Sequence, residues 1–170
     1  MQHRILQLHD TDVSHATQHA AGEALAKEML STVCGIPAET ICFLRTEHGK
    51  PYIDIPNVHF SISHSDDRVM CAIHTSPVGA DIQRIAPVRE NVLQRVCTPA
   101  ERAFIGADAR RFAEVWTRKE AYAKLVGTGL SYGLQNIVVA DENGLTRTVC
   151  DCHVITKEND GYMYSIVWNE

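Results

Sequence analysis

The sequence predicts an α+β chain built as two similar halves, and three observations carry that prediction. A helix-forming stretch over residues 15–33 is followed by three short strand-like runs. A second helical stretch, begun at Asp108 and ended at Gly127, is followed by three more. Between them lies a strand-like run, residues 78–85, that carries Asp81 near the junction. One order of elements thus occurs twice, which points to an internal duplication although the halves share little residue identity.

Each element has a local cause. Ser14 can cap the first helix, along which Ala21, Leu25, Met29 and Val33 recur near the helical period before Gly35 and Pro37 stop it. Strand-like runs follow at residues 40–45, 58–64 and 69–74, separated by the Gly49-Lys50-Pro51 turn and by the polar turn Ser65-Asp66-Asp67. Thr98-Pro99-Ala100-Glu101 reads as a capping box with proline at the first helical position, so a short helix starts there and ends near Gly106. The helix after Asp108 has an expected buried stripe of Phe112, Val115, Trp116, Ala123 and Val126. Strands close the chain over residues 136–140, 146–154 and 162–168, the last two joined by the Glu158-Asn159-Asp160-Gly161 turn.

Composition bounds the function. The 170 residues are 45% hydrophobic and 22% charged, an ordinary globular balance. The formal charge of −5 argues against a nucleic-acid binder, since no dense Lys/Arg stripe offsets it. Residues 1–9 lack the marks of a signal peptide and no stretch reaches the roughly 18 apolar residues of a membrane span, so a cytoplasmic protein without membrane contact is expected. The six cysteines are expected to be buried, reduced thiols. The cluster Cys150, Cys152 and His153 is the one alternative, a metal site without a second ligand pair.

Four segments carry candidate chemistry, and each has a plainer reading. Strand alternation puts Val78, Ala80 and Ile82 on one face and Asp81 and Gln83 together on the other. Those two oxygen-bearing side chains can converge on a cation or simply meet water at a strand end. In Trp116-Thr117-Arg118-Lys119-Glu120-Ala121-Tyr122-Ala123-Lys124, Lys119 falls within the apolar stripe, so it must reach an edge or an anion, with Glu120 at the same rim. Glu120 and Lys124 can equally form a surface i,i+4 ion pair. Ser61, Ser63, His64 and Ser65 in Phe60-Ser61-Ile62-Ser63-His64-Ser65 offer donors for a phosphate, though a lone histidine is usually structural. Arg45-Thr46-Glu47-His48-Gly49-Lys50-Pro51 offers two cations on a glycine turn suited to an anion, as many turns do.

In order and spacing, RTEHGKP (45–51), FSISHS (60–65), GADIQ (79–83), WTRKEAYAK (116–124) and GTGLS (127–131) resemble the 4′-phosphopantetheinyl transferases of the larger, two-lobed type found with surfactin synthetase. The resemblance implies a pseudo-twofold α+β fold, each lobe a long helix packed on a small antiparallel sheet, with lobes 1–78 and 79–170 enclosing coenzyme A between them as one functional unit. It implies magnesium on Asp81 and Glu120, with Gln83 where most relatives have an acidic third ligand. It implies Lys124 and Lys119 as partners of the pyrophosphate, and Arg45, Gly49, Lys50, Pro51, Ser63 and His64 as the pocket of the adenine nucleotide and its 3′-phosphate.

The implied activity is of the holo-[acyl-carrier-protein] synthase kind, in which the phosphopantetheine arm of coenzyme A passes to a serine of an apo carrier protein. The catalytic residues are then Glu120, Lys124 and Lys119. The carrier, of fatty-acid, polyketide or nonribosomal peptide synthesis, is expected to be acidic and to dock on Arg84, Arg89 and Arg95, and the enzyme to be a monomer. Two other classes share these residues: a coenzyme A-binding adaptor without transfer activity, which Gln83 allows, and a magnesium-dependent phosphohydrolase.

Overall fold

The computed structural model describes residues 1–9, 13–127 and 133–170. The chain runs through β1 (Gln2–Gln7), α1 (His15–Cys34), β2 (Leu44–Arg45), β3 (Pro51–Tyr52), β4 (His59–Ser65), β5 (Arg68–His74) and β6 (Val78–Arg84). It continues through α2 (Glu90–Val96), α3 (Pro99–Ile105), α4 (Ala109–Val126), β7 (Ala140–Asp141), β8 (Gly144–Leu145), β9 (Thr148–Val149), β10 (Cys152–Asn159) and β11 (Tyr162–Trp168). β1, β4 and β5 make a sheet in the order β1-β5-β4, on which α1 packs. β6, α4, β10 and β11 repeat that plan as β6-β11-β10, with β9 added at the edge. Every pairing in both sheets is antiparallel. A β-α-β-β unit whose last strand lies in the middle therefore occurs twice, which is the pseudo-twofold α+β fold expected.

The caps act where the residues indicate. The Ser14 hydroxyl accepts from Thr17 N, Asp108 accepts from Arg110 N and Arg111 N, and Thr98 and Glu101 form both bonds of a capping box. Asp160 and Gly161 both take positive φ (46° and 79°), as a two-residue hairpin turn of matching twist requires.

Side-chain alternation then sorts the strands into layers. Val69, Cys71 and Ile73 of β5 pack with Leu25, Ala26, Met29 and Leu30 of α1. Met70 and Ala72 of the same strand point the other way, into a core shared with Val78, Ala80 and Ile82 of β6 and Tyr162, Tyr164 and Ile166 of β11. The opposite face of β6 meets α4 so closely that a Cβ on Gly79 would lie 1.9 Å from the Ala121 carbonyl oxygen. Only a residue without a side chain permits that approach.

The two sheets are also joined by a ladder of hydroxyls. Ser61, Ser63 and Ser65, alternate residues of β4, accept hydrogen bonds from Ala80 N (3.0 Å), Ile82 N (3.2 Å) and Arg84 N (3.1 Å) on the free edge of β6. These amides would otherwise be strand-edge donors without a partner.

Several expectations need correction. The strand expected at residues 40–45 is a 3₁₀ turn, Ala38–Thr40, in which the Thr40 hydroxyl bonds the Pro37 carbonyl, followed by the short β2. Residues 136–140 likewise hold the end of a 3₁₀ turn and the start of β7. The run 146–154 breaks into β9 and β10 because Cys150 and Asp151 turn the backbone through positive φ. β1 and α2 escape the sequence reading, being largely exposed elements with little apolar patterning. Val33 and Val126, expected in helix stripes, are 38% and 42% exposed. Cys71, Cys97 and Cys152 are buried, whereas Cys42 and Cys150 are exposed, and all six are free. Among the described residues no helix is long and apolar enough to cross a membrane.

Candidate functional site

The site forms where β4, β6 and α4 meet. Asp81 projects from the α4 face of β6 and is 5% exposed. Its Oδ1 accepts from the Ser63 hydroxyl at 2.8 Å and pairs with Lys124 Nζ at 2.7 Å. Lys124 Nζ also donates to Ser63 Oγ at 2.8 Å. One turn back on α4, Glu120 faces the same place. Burial, and after it the Asp81 carboxylate, push the Glu120 carboxyl up to about 7, while Lys124 acts in the other direction.

Asp81 Oδ2 and Glu120 Oε1 are buried without a hydrogen-bond partner among the described residues. Orphaned carboxylate oxygens are costly unless something else takes their lone pairs. Two such atoms are a donor set for a hard, oxygen-seeking cation such as magnesium, which needs only one or two carboxylates and completes its shell with water and phosphate. The residues present therefore fit that ion. Gln83, the third expected ligand, is half-buried on the same strand and donates its side-chain amide to the Arg84 carbonyl at 3.3 Å.

The polar residues of WTRKEAYAK divide into two groups. Glu120 and Lys124 face the site. Thr117, Arg118 and Lys119 are buried and hold α4 in place: Thr117 bonds Ser165 of β11 (2.8 Å), and Arg118 bonds Thr156 (2.8 Å) and the Thr146 carbonyl (2.7 Å).

Lys119 requires a correction, because its Nζ is fully buried against Glu101 Oε2 (2.7 Å) and the Leu134 carbonyl (3.0 Å). It does not reach the rim shared by Glu120, and so it is removed from the catalytic and pyrophosphate-binding residues. Glu101 lies 18 positions earlier, so nothing local in the sequence reveals the pair.

Beside this centre a cleft of about 490 Å³ opens, lined in part by His48, Lys50, Pro51 and Phe60, and a smaller one of about 230 Å³ runs on past Gly49, Ser61 and Ala123 to Lys124. Lys50 ties the halves together, its ammonium donating to the carbonyls of Val78 (3.2 Å) and Leu125 (3.3 Å). Burial lowers its pKa to about 8. Arg45 donates to the Gly49 carbonyl (3.1 Å) and pairs with Glu23 (2.7 Å). His64 stands on β4 next to Ser63, its ring edge-on to His15 of α1. Of GTGLS, residues 128–131 lie outside the described residues. Missed in the sequence were the serine ladder, whose signal is the period-two spacing of three serines, and His15 with its partners on α1, spaced one turn apart.

On a twice-repeated α+β unit the site thus brings together two carboxylates with unpartnered buried oxygens, the Lys124 ammonium and a cleft lined in part by Lys50, an arrangement with the chemistry to bind a phosphate and a divalent cation. Residues 77–166 match the family model for the 4′-phosphopantetheinyl transferase superfamily, and residues 2–76 the model for the 4′-phosphopantetheinyl transferase N-terminal region. The chain belongs to the 4′-phosphopantetheinyl transferase superfamily, as a member of the surfactin-synthetase-activating type.

Among its relatives, the 4′-phosphopantetheinyl transferase gsp of Aneurinibacillus migulanus is 38% identical over 81% of this chain and 59% of that protein. The 4′-phosphopantetheinyl transferase psf-1 of Bacillus pumilus is 36% identical over 68% of this chain and 52% of that protein. For Sfp of Bacillus subtilis (strain 168) the figures are 30%, 85% and 70%. The chain thus spans less than two thirds of the length of the first two.

Proposed function

We propose that this chain transfers the 4′-phosphopantetheine group of coenzyme A to a serine of an apo carrier protein, with magnesium as cofactor and residues 1–78 and 79–170 acting as one unit. The observation that carries the reading is the pair of unpartnered buried oxygens on Asp81 and Glu120 beside the Lys124 ammonium. Membership of the superfamily and the 30–38% identity to proteins named as such transferases support it.

Asp81 and Glu120 would hold the magnesium ion, which when bound supplies positive charge to the pyrophosphate oxygens. The carrier serine oxygen bonds to the β-phosphorus as the bond to the leaving 3′,5′-adenosine bisphosphate breaks. The serine proton passes to Glu120 or to a water that Glu120 polarises, a carboxylate beside the metal being within reach of the incoming hydroxyl. Lys124, already placed at 2.7 Å from Asp81, offsets charge as it grows on the phosphate oxygens. Arg45, Gly49, Lys50, Pro51, Ser63 and His64 line or adjoin the clefts and would receive the nucleotide.

A groove of about 400 Å³ between Gln83, Arg84, Arg89 and Trp116 lies beside the site and would seat an acidic carrier. Arg84 is engaged by Asp66 at 3.0 Å, which leaves Arg89, just before α2, and Arg95 on α2 as the freer contributors. A monomer in the cytoplasm is the form in which we expect this to occur.

The test is intact-mass spectrometry of an apo carrier protein incubated with the chain, coenzyme A and magnesium. A gain of one phosphopantetheine group that disappears with chelator supports the proposal. Coenzyme A binding without any gain across acyl, peptidyl and aryl carriers overturns it in favour of an adaptor, and bisphosphate release without a carrier in favour of a phosphohydrolase.

A further inference from the structure

Along β4 the three serines turn toward β6 at every second residue, and each accepts a hydrogen bond from a β6 amide. The middle one does more. A serine hydroxyl has one hydrogen to donate and two lone pairs with which to accept. Ser63 Oγ accepts from Ile82 N at 3.2 Å and from Lys124 Nζ at 2.8 Å, so its hydrogen is left for Asp81 Oδ1 at 2.8 Å. Every bonding position of the hydroxyl is taken, and the residue is 3% exposed. Ser63 can hold a phosphate only if one of these bonds is broken first.

Ser63 Oγ, Asp81 Oδ1 and Lys124 Nζ thus form a closed triangle with sides of 2.8, 2.7 and 2.8 Å. The triangle decides which oxygen of Asp81 the lysine takes. An ammonium is a compact charge with rotatable donors, and by itself it can pair with either oxygen of a carboxylate. The Ser63 lone pair draws Lys124 to the Oδ1 side, and the Ser63 hydrogen pins that same oxygen. Asp81 Oδ2 is left buried and unpartnered, as is Glu120 Oε1, which is the donor set that a hard cation needs. The bond from Ile82 N fixes the backbone next to Asp81 at the same time. Groups that orient a ligating carboxylate in this way raise metal affinity without touching the ion.

We infer that Ser63 is a positioning residue for the cation site: it holds Lys124 on one oxygen of Asp81 and so keeps the other free for the ion. The inference rests on the coenzyme A reading above and narrows the part of Ser63 in it, from receiving the nucleotide to arranging the groups that act on its pyrophosphate.

Isothermal titration of the full chain tests this with two ligands, 3′,5′-adenosine bisphosphate in chelator and coenzyme A over a range of magnesium concentrations. In Ser63→Ala the magnesium concentration that brings half of the gain in coenzyme A affinity should rise by about 10- to 100-fold. Affinity for the bisphosphate without metal should stay the same. Should Ser63→Ala not fold, Ser63→Cys, whose thiol donates and accepts only weakly, takes its place with the same expectation. A bisphosphate affinity that falls while the magnesium requirement stays put makes Ser63 a phosphate donor and overturns the inference. A variant in which neither quantity changes, or in which both worsen together, overturns it as well, and each of these results leaves the coenzyme A reading standing. An unaltered chain that gains no coenzyme A affinity from magnesium overturns the assignment of Asp81 and Glu120 to the ion, and one that binds neither ligand overturns the coenzyme A reading itself; the inference falls with either.

Discussion

Lys124 Nζ lies 2.7 Å from Asp81 Oδ1 and 2.8 Å from Ser63 Oγ, so one ammonium joins β4, β6 and α4. The lysine balances Asp81 before any substrate arrives, and an incoming phosphate has to share it. Removing it leaves the Asp81 carboxylate without its counter-charge, with the Ser63 hydroxyl as its remaining hydrogen-bond partner and the Glu120 carboxyl close by. Lys124→Met is expected to lower kcat/KM by about 10²- to 10³-fold, the effect of deleting one preorganised donor. Steady-state transfer assays check this, and a loss under about threefold would remove Lys124 from the reaction.

Glu120 predicts a pH dependence. Burial and the Asp81 carboxylate push its carboxyl up to about 7 in the fold, from about 4.5 when free of its surroundings. Between these values the folded chain holds a proton that the unfolded chain has released, so this group makes metal-free stability fall as pH rises through that window. Glu120→Gln should remove the fall, with its Tm advantage over the unaltered protein growing from about pH 5 to about pH 8. The same variant should lack transfer activity. A parallel pair of Tm curves, or near-normal turnover, would contradict the assignment.

Gly79 tests how tightly α4 must sit. A Cβ at this position would stand 1.9 Å from the Ala121 carbonyl oxygen and 2.4 Å from Leu125 N, both backbone atoms of α4. Neither can swing aside, so Gly79→Ala must push the helix off β6. Because β6 carries Asp81 and α4 carries Glu120 and Lys124, the cost falls on the site as well as the fold. We expect a loss of about 1–3 kcal/mol of stability in urea melts and a drop in kcat. Stability lost with kcat intact would show that the site tolerates the displacement.

How much of this was legible in the sequence depended on how local the cause was. The caps at Ser14, Thr98 and Asp108 are decided within four residues and are legible, whereas the turn expected over Glu158-Asn159-Asp160-Gly161 narrows to Asp160 and Gly161, because Glu158 and Asn159 stay paired in β10. The alternation that puts Asp81 opposite Val78, Ala80 and Ile82 was legible for the same reason. Edge strand β1 was not, since a strand paired on one side has little need of apolar residues. Ser63 was read as a phosphate donor, yet its hydroxyl is already engaged with Ile82 N, Asp81 and Lys124. Those partners come from two other elements, and no spacing in the sequence announces them.

Lys119 and Glu101 separate architecture from chemistry. Both side chains are fully buried, and Glu101 accepts from Thr98 N, Val139 N and Lys119 Nζ, fastening α3, α4 and the segment entering β7 together. Removing one charge of a buried pair leaves the other uncompensated, at a cost of about 3–5 kcal/mol. Lys119→Met therefore should destabilise the protein by about that much in urea unfolding, since Glu101 would keep its charge and its two amide donors but lose its counter-ion. At a temperature where the variant is folded, its KM for coenzyme A should match that of the unaltered chain, because the ammonium is spent on Glu101 and the Leu134 carbonyl. A raised KM with unchanged stability would instead return Lys119 to the pyrophosphate and refute the buried pair.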